Sequence, residues 1–283
     1  MDKAGTQAAF VAAGLGRLLK DLDALARNSI RLTTTPIDEA RMRIGASKVG
    51  GRPDLPRGVS WPQWKGLPQS FIAQIRLKDA STYDSDKVLP ADGMLWFFYD
   101  EQQEIYGASP DDRGGWSVIY KAGKVGRLRP TRPPTTLPAT SHFKASSVRF
   151  SGEITLSDQP QLEIPNLDWT DEEMQQYETL LSTFPTPADH GTTQHRLLGN
   201  PYTLQDDMHL QCQLYSHGVT DINDPRVEEL SKGAIDWLLL LQIDTDEEIG
   251  MRWGSTGMLY YWIKREDLQA GTFDNTWLVL QSE

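Results

Sequence analysis

The sequence predicts an α+β fold, internally duplicated, in which two mainly antiparallel sheet lobes with peripheral helices are related by a pseudo-two-fold. Three observations carry this. Short apolar runs with strand patterns, separated by turn signals, occur in both halves of the chain. Helical periodicity is confined to a few flanking segments. Four motifs recur in the same order: Gly51-Arg52-Pro53 with Gly199-Asn200-Pro201, Ala73-Gln74-Ile75 with Leu241-Gln242-Ile243, Gly93-Met94-Leu95-Trp96-Phe97 with Gly257-Met258-Leu259-Tyr260-Tyr261, and Trp116-Ser117-Val118 with Trp277-Leu278-Val279. Their offsets are 148, 168, 164 and 161 residues (199 − 51, 241 − 73, 257 − 93, 277 − 116). The first step in offset has the size of a helical insert around Asp224 to Asp236. The organisation predicted is an N-terminal helical segment over 1–45, a first lobe over 46–125, a connector with a hairpin and an acidic helix over 126–190, and a second lobe over 191–283, together one compact domain.

In chain order, Phe10, Leu15, Leu18, Leu19, Leu22 and Leu25 recur at spacings of three and four, which predicts a helix over 7–27. Gly50 to Gly58 is turn punctuation, and the prolines through Pro68 make the stretch a loop or edge segment. Phe71 to Leu77 reads as a strand with Phe71, Ala73, Ile75 and Leu77 on one face. Met94 to Tyr99, apolar on both faces, reads as a buried central strand, and Trp116 to Tyr120 as another strand. Thr170-Asp171-Glu172-Glu173 is a capping box opening a helix that buries Met174, Tyr177, Leu180, Leu181 and Phe184. Asp224-Pro225 opens a second helix, running to about Asp236. Strands follow at Trp237–Ile243, Met258–Ile263 and Trp277–Leu280, with a short helix over Arg265–Ala270 closed by Gly271.

Charge narrows the function classes. Lys and Arg number 28 against 39 Asp and Glu, a net charge of −11 over 283 residues, which argues against a phosphate-tracking nucleic-acid binder. The distribution is uneven. Residues 121–149 carry seven Lys or Arg and no acid, and 150–195 carry nine acids and no Lys or Arg, so the two segments are expected to pair with each other or with a partner. The N-terminus lacks a signal-peptide pattern and no apolar run is long enough to span a bilayer, so a soluble cytoplasmic protein without membrane attachment is expected.

Chemical motifs are sparse. The single cysteine, Cys212, lies in an alternating segment and reads as a buried, inert thiol. His190 and His195 lack the spacing that puts two imidazoles on one helical face, and Asp244-Thr245-Asp246-Glu247-Glu248 lacks the glycine and distal glutamate of a calcium loop, so no metal site is assigned. There is no nucleophile elbow, Walker loop or dinucleotide fingerprint, so neither a cofactor nor a catalytic residue is assigned. The loop tryptophans Trp61, Trp64 and Trp253 are candidates for an aromatic recognition surface, whereas Trp96, Trp237, Trp262 and Trp277 read as core. Gln74, Gln242, Asp244, Arg252 and Trp253 lie at strand ends near the pseudo-dyad and are candidates for a ligand groove between lobes.

Several segments together resemble the bacterial YwqG-like domain family: Gly50 to Pro56 with Trp61-Pro62, Phe71 to Ile75, Gly93 to Asp100, His195 to Gly199, Leu239 to Asp244, Gly250 to Gly254 and Phe273 to Trp277. The resemblance covers about residues 40–283. It implies an α+β duplicated fold and, because such proteins are found encoded near polymorphic toxins, an immunity or interaction role. It supplies no catalytic residue. Two functions are therefore expected in order: a non-catalytic protein-binding module whose acidic surface captures a basic partner such as a toxin, and a small-molecule binder or enzyme using the groove between lobes.

Overall fold

The computed structural model describes residues 1–164, 166–186, 188 and 191–282. Its strands are β1 (Ala26–Pro36), β2 (Lys48–Val49), β3 (Asp54–Pro56), β4 (Gln63–Trp64), β5 (Leu67–Pro68), β6 (Ser70–Arg76), β7 (Gly93–Tyr99), β8 (Trp116–Ala122), β9 (Leu128–Pro130) and β10 (Ser146–Leu156), followed by β11 (Arg196–Leu197), β12 (Trp237–Asp244), β13 (Gly257–Lys264) and β14 (Trp277–Ser282). Ten of them form one sheet, in the order β14-β13-β12-β11-β1-β10-β2-β6-β7-β8, with antiparallel pairing throughout. The fold is α+β with mostly antiparallel sheet.

The middle of this sheet departs from the sequence expectation. The predicted helix over 7–27 is a helix only over Lys3–Ala12; Gly14 at φ +82° ends it, and the chain passes through two short turns of helix into β1. β1 lies in the segment assigned to helix, and β10 in the segment assigned to a connector. They pair over their full lengths, from Ala26 with Leu156 to Pro36 with Ser146. Ile30 and Leu32 alternate inward on β1, and the β-branched run Thr33-Thr34-Thr35 favours an extended chain.

The flanks follow expectation more closely. β7 is buried along its whole length between β6 and β8. The capping box is formed: Thr170 Oγ1 accepts the Glu173 N–H at 3.2 Å, and Glu173 Oε2 accepts the Thr170 N–H at 2.9 Å. Gly271 at φ +73° closes the helix Arg265–Ala270. A bulge between Phe71 and Ala73 breaks the single face predicted for β6. Phe71 packs with Trp96 and Phe98 on one side of the sheet, while Ala73 and Ile75 join the main core on the other. The helix after Asp224 is Val227–Leu230 continued by a 3₁₀ segment, and Cys212 lies on a helix, His209–Ser216, instead of an alternating strand.

The two ends of the sheet fold toward each other over the main core. The rings of Phe97 on β7 and Tyr261 on β13 meet edge to face with centroids 5.1 Å apart, and the Tyr261 hydroxyl donates to the Phe98 carbonyl. Trp116 on β8 packs on Trp277 of β14 and donates to the Thr276 carbonyl. A second core under the N-terminal segments joins Phe10, Leu18 and Leu25 to Tyr177 and Leu180 of the helix Asp171–Leu181. No helix among the described residues is long and apolar enough to cross a membrane.

Candidate functional site

Gln74 and Gln242 are both fully buried, and each fastens a loop. Gln74 Oε1 accepts the Asp54 N–H at 2.7 Å, and its Nε2 donates to the Ala46 carbonyl at 2.7 Å and to Asp54 Oδ2. Gln242 Oε1 accepts the Tyr202 N–H at 2.9 Å, and its Nε2 donates to the Gln194 carbonyl at 2.6 Å. A buried primary amide can donate and accept at once, so each glutamine bridges two passes of backbone that the sheet does not reach.

Beside each glutamine stands a buried cation. Lys48 on β2 pairs with Gln74 in the ladder, and Arg196 on β11 pairs with Gln242. The Lys48 ammonium lies 3.2 Å from Glu39 and 3.3 Å from Asp54. Burial opposes the charge on Glu39, but the backbone N–H and guanidinium of Arg52 and the Lys48 ammonium hold its carboxyl below the usual range. Arg196 donates to Gln194 Oε1 at 2.6 Å and to the Asn200 carbonyl, with its Nε 3.5 Å from Glu153. Arg31 on β1 donates to Glu153 at 2.9 Å and to Gln194 Oε1 at 2.9 Å. Burial pushes the Arg196 guanidinium down to about 10 against the pull of Glu153, which leaves it charged at neutral pH.

Asp244 joins the edge of this network by accepting the Gln194 N–H at 2.8 Å, and burial raises its carboxyl. Its own N–H is donated to His195 Nδ1 at 3.0 Å, which leaves the His195 proton on Nε2, 3.6 Å from Asp246. Asp246 itself caps the turn Glu247–Ile249. No group of three His, Cys, Asp or Glu among the described residues is arranged to hold a metal ion. His190 lies outside the described residues.

The other candidates scatter. Trp253, expected on a recognition surface, is fully buried between Tyr99 and Phe143. Arg252 is exposed and pairs with Glu247. Trp64 is half-buried under Lys65, and Trp61 is half-buried and donates to the Gln69 carbonyl. Cys212 is buried, and burial raises its thiol far above the ordinary range.

The charge segregation resolves in an unexpected way. The acidic stretch pairs with the N-terminal region: Glu153 with Arg31, Glu163 with Arg27, Asp168 with Arg17 and Lys20, and Glu173 with Arg17. All seven cations of 121–149 are exposed, and none of their side chains is in an ion pair or hydrogen bond with another described residue. Arg132 and Lys144, with His142, rim a groove of about 530 Å³ walled by Trp61, Phe71, Phe143 and Pro133. The Arg52–Glu39 pair closes one end.

A family model described as "Domain of unknown function (DUF1963)" matches residues 47–282. The chain belongs to the DUF1963 family. No curated protein matches it. The match takes in both glutamines, both buried cations and most of the groove lining of this DUF1963 chain, while Glu39, Ala46 and β1 with its Arg31 precede it.

Sequence reasoning found Gln74 and Gln242 through the repeated motifs but missed Lys48, Arg31, Glu153 and Arg196. A lone basic residue in a strand looks like a solvated one until its neighbours in the sheet are known. The available signal in the DUF1963 chain was Arg196 immediately before Leu197-Leu198-Gly199, at the same distance from its glycine as Lys48 from Gly51.

Proposed function

We propose that the chain is an internally duplicated, non-catalytic binding protein, with a pseudo-dyad between β1 and β10, whose cationic groove receives an acidic segment of a protein partner. Duplication is supported by coincident detail. Ala46 and Gln194, Asp54 and Tyr202, and Lys48 and Arg196 are each 148 residues apart (194 − 46, 202 − 54, 196 − 48), and each pair contacts or faces the equivalent glutamine. Bulges fall at Ile72 and Leu240, on either side of which the register shifts. A Cβ on Gly51 would meet Glu39 and Ala145, and one on Gly199 would meet Thr155 and Ser29. Glu39 and Thr155, like Ser29 and Ala145, are 116 residues apart (155 − 39, 145 − 29), as a two-fold through the β1–β10 pair requires. In the ladders, Trp96 opposite Ile119 matches Tyr260 opposite Val279, which aligns Trp277 with Ser117 and shifts the sequence alignment by one residue.

The observation that carries the binding role is the groove with its unpaired cations. The chemically suggestive side chains Gln74, Gln242 and Trp253 hold the fold together and touch no open space, which favours binding over catalysis. A toxin-neutralising role and kinship with the YwqG-like domains remain within this reading. Local charge favours an acidic partner segment over the basic one inferred from net charge, because unpaired cations beside aromatic and proline surface complement carboxylates. Fluorescence anisotropy with fluorescein-labelled acidic and basic peptides of equal length tests it. The acidic set should bind with strong salt dependence and weaken about tenfold or more in an Arg132→Glu/Lys144→Glu variant, whose changes are on exposed residues. Preference for the basic set, or acidic binding that the variant leaves intact, would reject the groove.

A further inference from the structure

Arg31 and Arg196 line a separate cavity of about 300 Å³, near the lower end of the sizes that hold small ligands. Their polar partners are unequal to their donors. Arg31 uses Nε toward Glu153 and Nη1 toward the Thr193 carbonyl and Gln194, which leaves both Nη2 hydrogens without an acceptor among the described residues. Arg196 uses one hydrogen on each terminal nitrogen, toward Asn200 and Gln194, which leaves one on each. A guanidinium carries five N–H donors in a planar fork, and Arg196 Nε, buried 3.5 Å from Glu153, has no hydrogen-bond partner among the described residues, which is costly to leave unmatched. Two guanidinium groups share one ion-pair partner, Glu153, while Asp158 lines the cavity without an ion pair to either of them. The opposite wall is apolar, formed by Leu156, Leu181, Phe184, Pro185 and Pro201.

In the first half the ion pairing differs. There Lys48, with three donors, meets two carboxylates. On the Arg196 side two guanidinium groups share one ion-pair partner and have a space beside them. We infer that this cavity binds a small monocarboxylate with an apolar tail, its carboxylate held by the free N–H groups of Arg31 and Arg196 and its tail against Leu181, Phe184 and Pro185. A dianion fits less well, because Glu153 and Asp158 also line the cavity. Burial pushes the Asp158 carboxyl upward, with Thr203 opposing the shift.

Isothermal titration of the full chain with phenylacetate, its neutral analogue phenylacetamide and inorganic phosphate tests the assignment. Phenylacetate should bind saturably at one site, phenylacetamide about tenfold or more weakly, and phosphate more weakly than phenylacetate. Arg31→Gln should lose about tenfold or more in phenylacetate affinity. Should that variant fail to fold, Leu181→Trp, at a half-buried wall position, fills the space while keeping both guanidinium groups, and should abolish binding. Equal affinity for phenylacetamide, tighter binding of phosphate, no saturable binding of phenylacetate or hexanoate, or unchanged affinity in Leu181→Trp would each overturn it.

Discussion

Lys48 and Arg196 stand at matching ladder positions, each opposite a loop-fastening glutamine and each buried, yet their surroundings differ. Lys48 is matched by two carboxylates, Glu39 and Asp54. Arg196 shares a single carboxylate with Arg31 and opens on about 300 Å³ of space. The backbone scaffold is alike on the two sides while the charge balance is not. On the proposed duplication, that contrast means that one copy of the site is locked for stability while the other keeps unmatched donors for a ligand.

The largest expected effect tests the lock. Lys48→Met leaves Asp54 almost fully buried without its cation and Glu39 with Arg52 alone. Breaking a buried pair from one side costs about 3–5 kcal/mol, because the remaining charge is stranded. Arg196→Met leaves Glu153 still bonded to Arg31, so its cost should be smaller, about 1–2 kcal/mol. Urea unfolding of both variants checks the order. A larger loss for Arg196→Met would mean that the two cations have their roles reversed.

Next come the glutamines, where the two sides should agree. Gln74→Leu strands the Asp54 N–H and the Ala46 carbonyl; Gln242→Leu strands the Tyr202 N–H and the Gln194 carbonyl. Each should cost about 2–3 kcal/mol, with Gln74 slightly the larger because it also bonds Asp54 Oδ2. Thermal unfolding of the pair measures the match. A negligible cost at either position would show that its loop is held by other contacts and would remove one support for the duplication.

How far these features were legible in the sequence follows from what kind of signal each one leaves. The flanking strands, the capping box and Gly271 were visible because apolar runs, Thr170 with Glu173, and a helix-ending glycine are local signals. The central strands were hidden. Val148, Phe150, Ile154 and Leu156 alternate on β10, but the charges and the Ser151-Gly152 pair within that stretch drew attention to its composition instead of its period. Eight residues of helix around Cys212 resemble an alternating strand because Leu210, Cys212 and Leu214 happen to fall two apart. The repeated motifs pointed to Gln74 and Gln242 but not to their roles, since a buried amide and an exposed one read the same in a sequence. The pairing of the acidic stretch with Arg17, Lys20, Arg27 and Arg31 could not be read either, because it joins charges more than a hundred positions apart.

The pH dependence should separate the two sides most finely. Glu39, on the locked side, has a carboxyl held below its ordinary 4.5, so its ionised form stabilises the folded chain. That contribution is present above the unfolded value and is lost as pH falls through the folded one. Asp158, on the cavity side, is raised above its ordinary 3.8 by burial, with Thr203 opposing the shift. Its protonated form is the favoured one when folded, so its contribution is fully present below 3.8 and is lost as pH rises through the raised value. Acidification therefore works in opposite directions at the two carboxyls. Asp158→Asn, which fixes the neutral form, should be more stable than the parent at neutral pH, with the advantage shrinking as pH drops toward 3.8. Glu39→Gln should be less stable than the parent at neutral pH, with its deficit shrinking on acidification below 4.5. Urea midpoints of the three proteins between neutral pH and that acid range give the two slopes. Slopes of the same sign would mean that the cavity carboxyl is charge-stabilised like its counterpart, and the contrast between the locked and the open cation would fail.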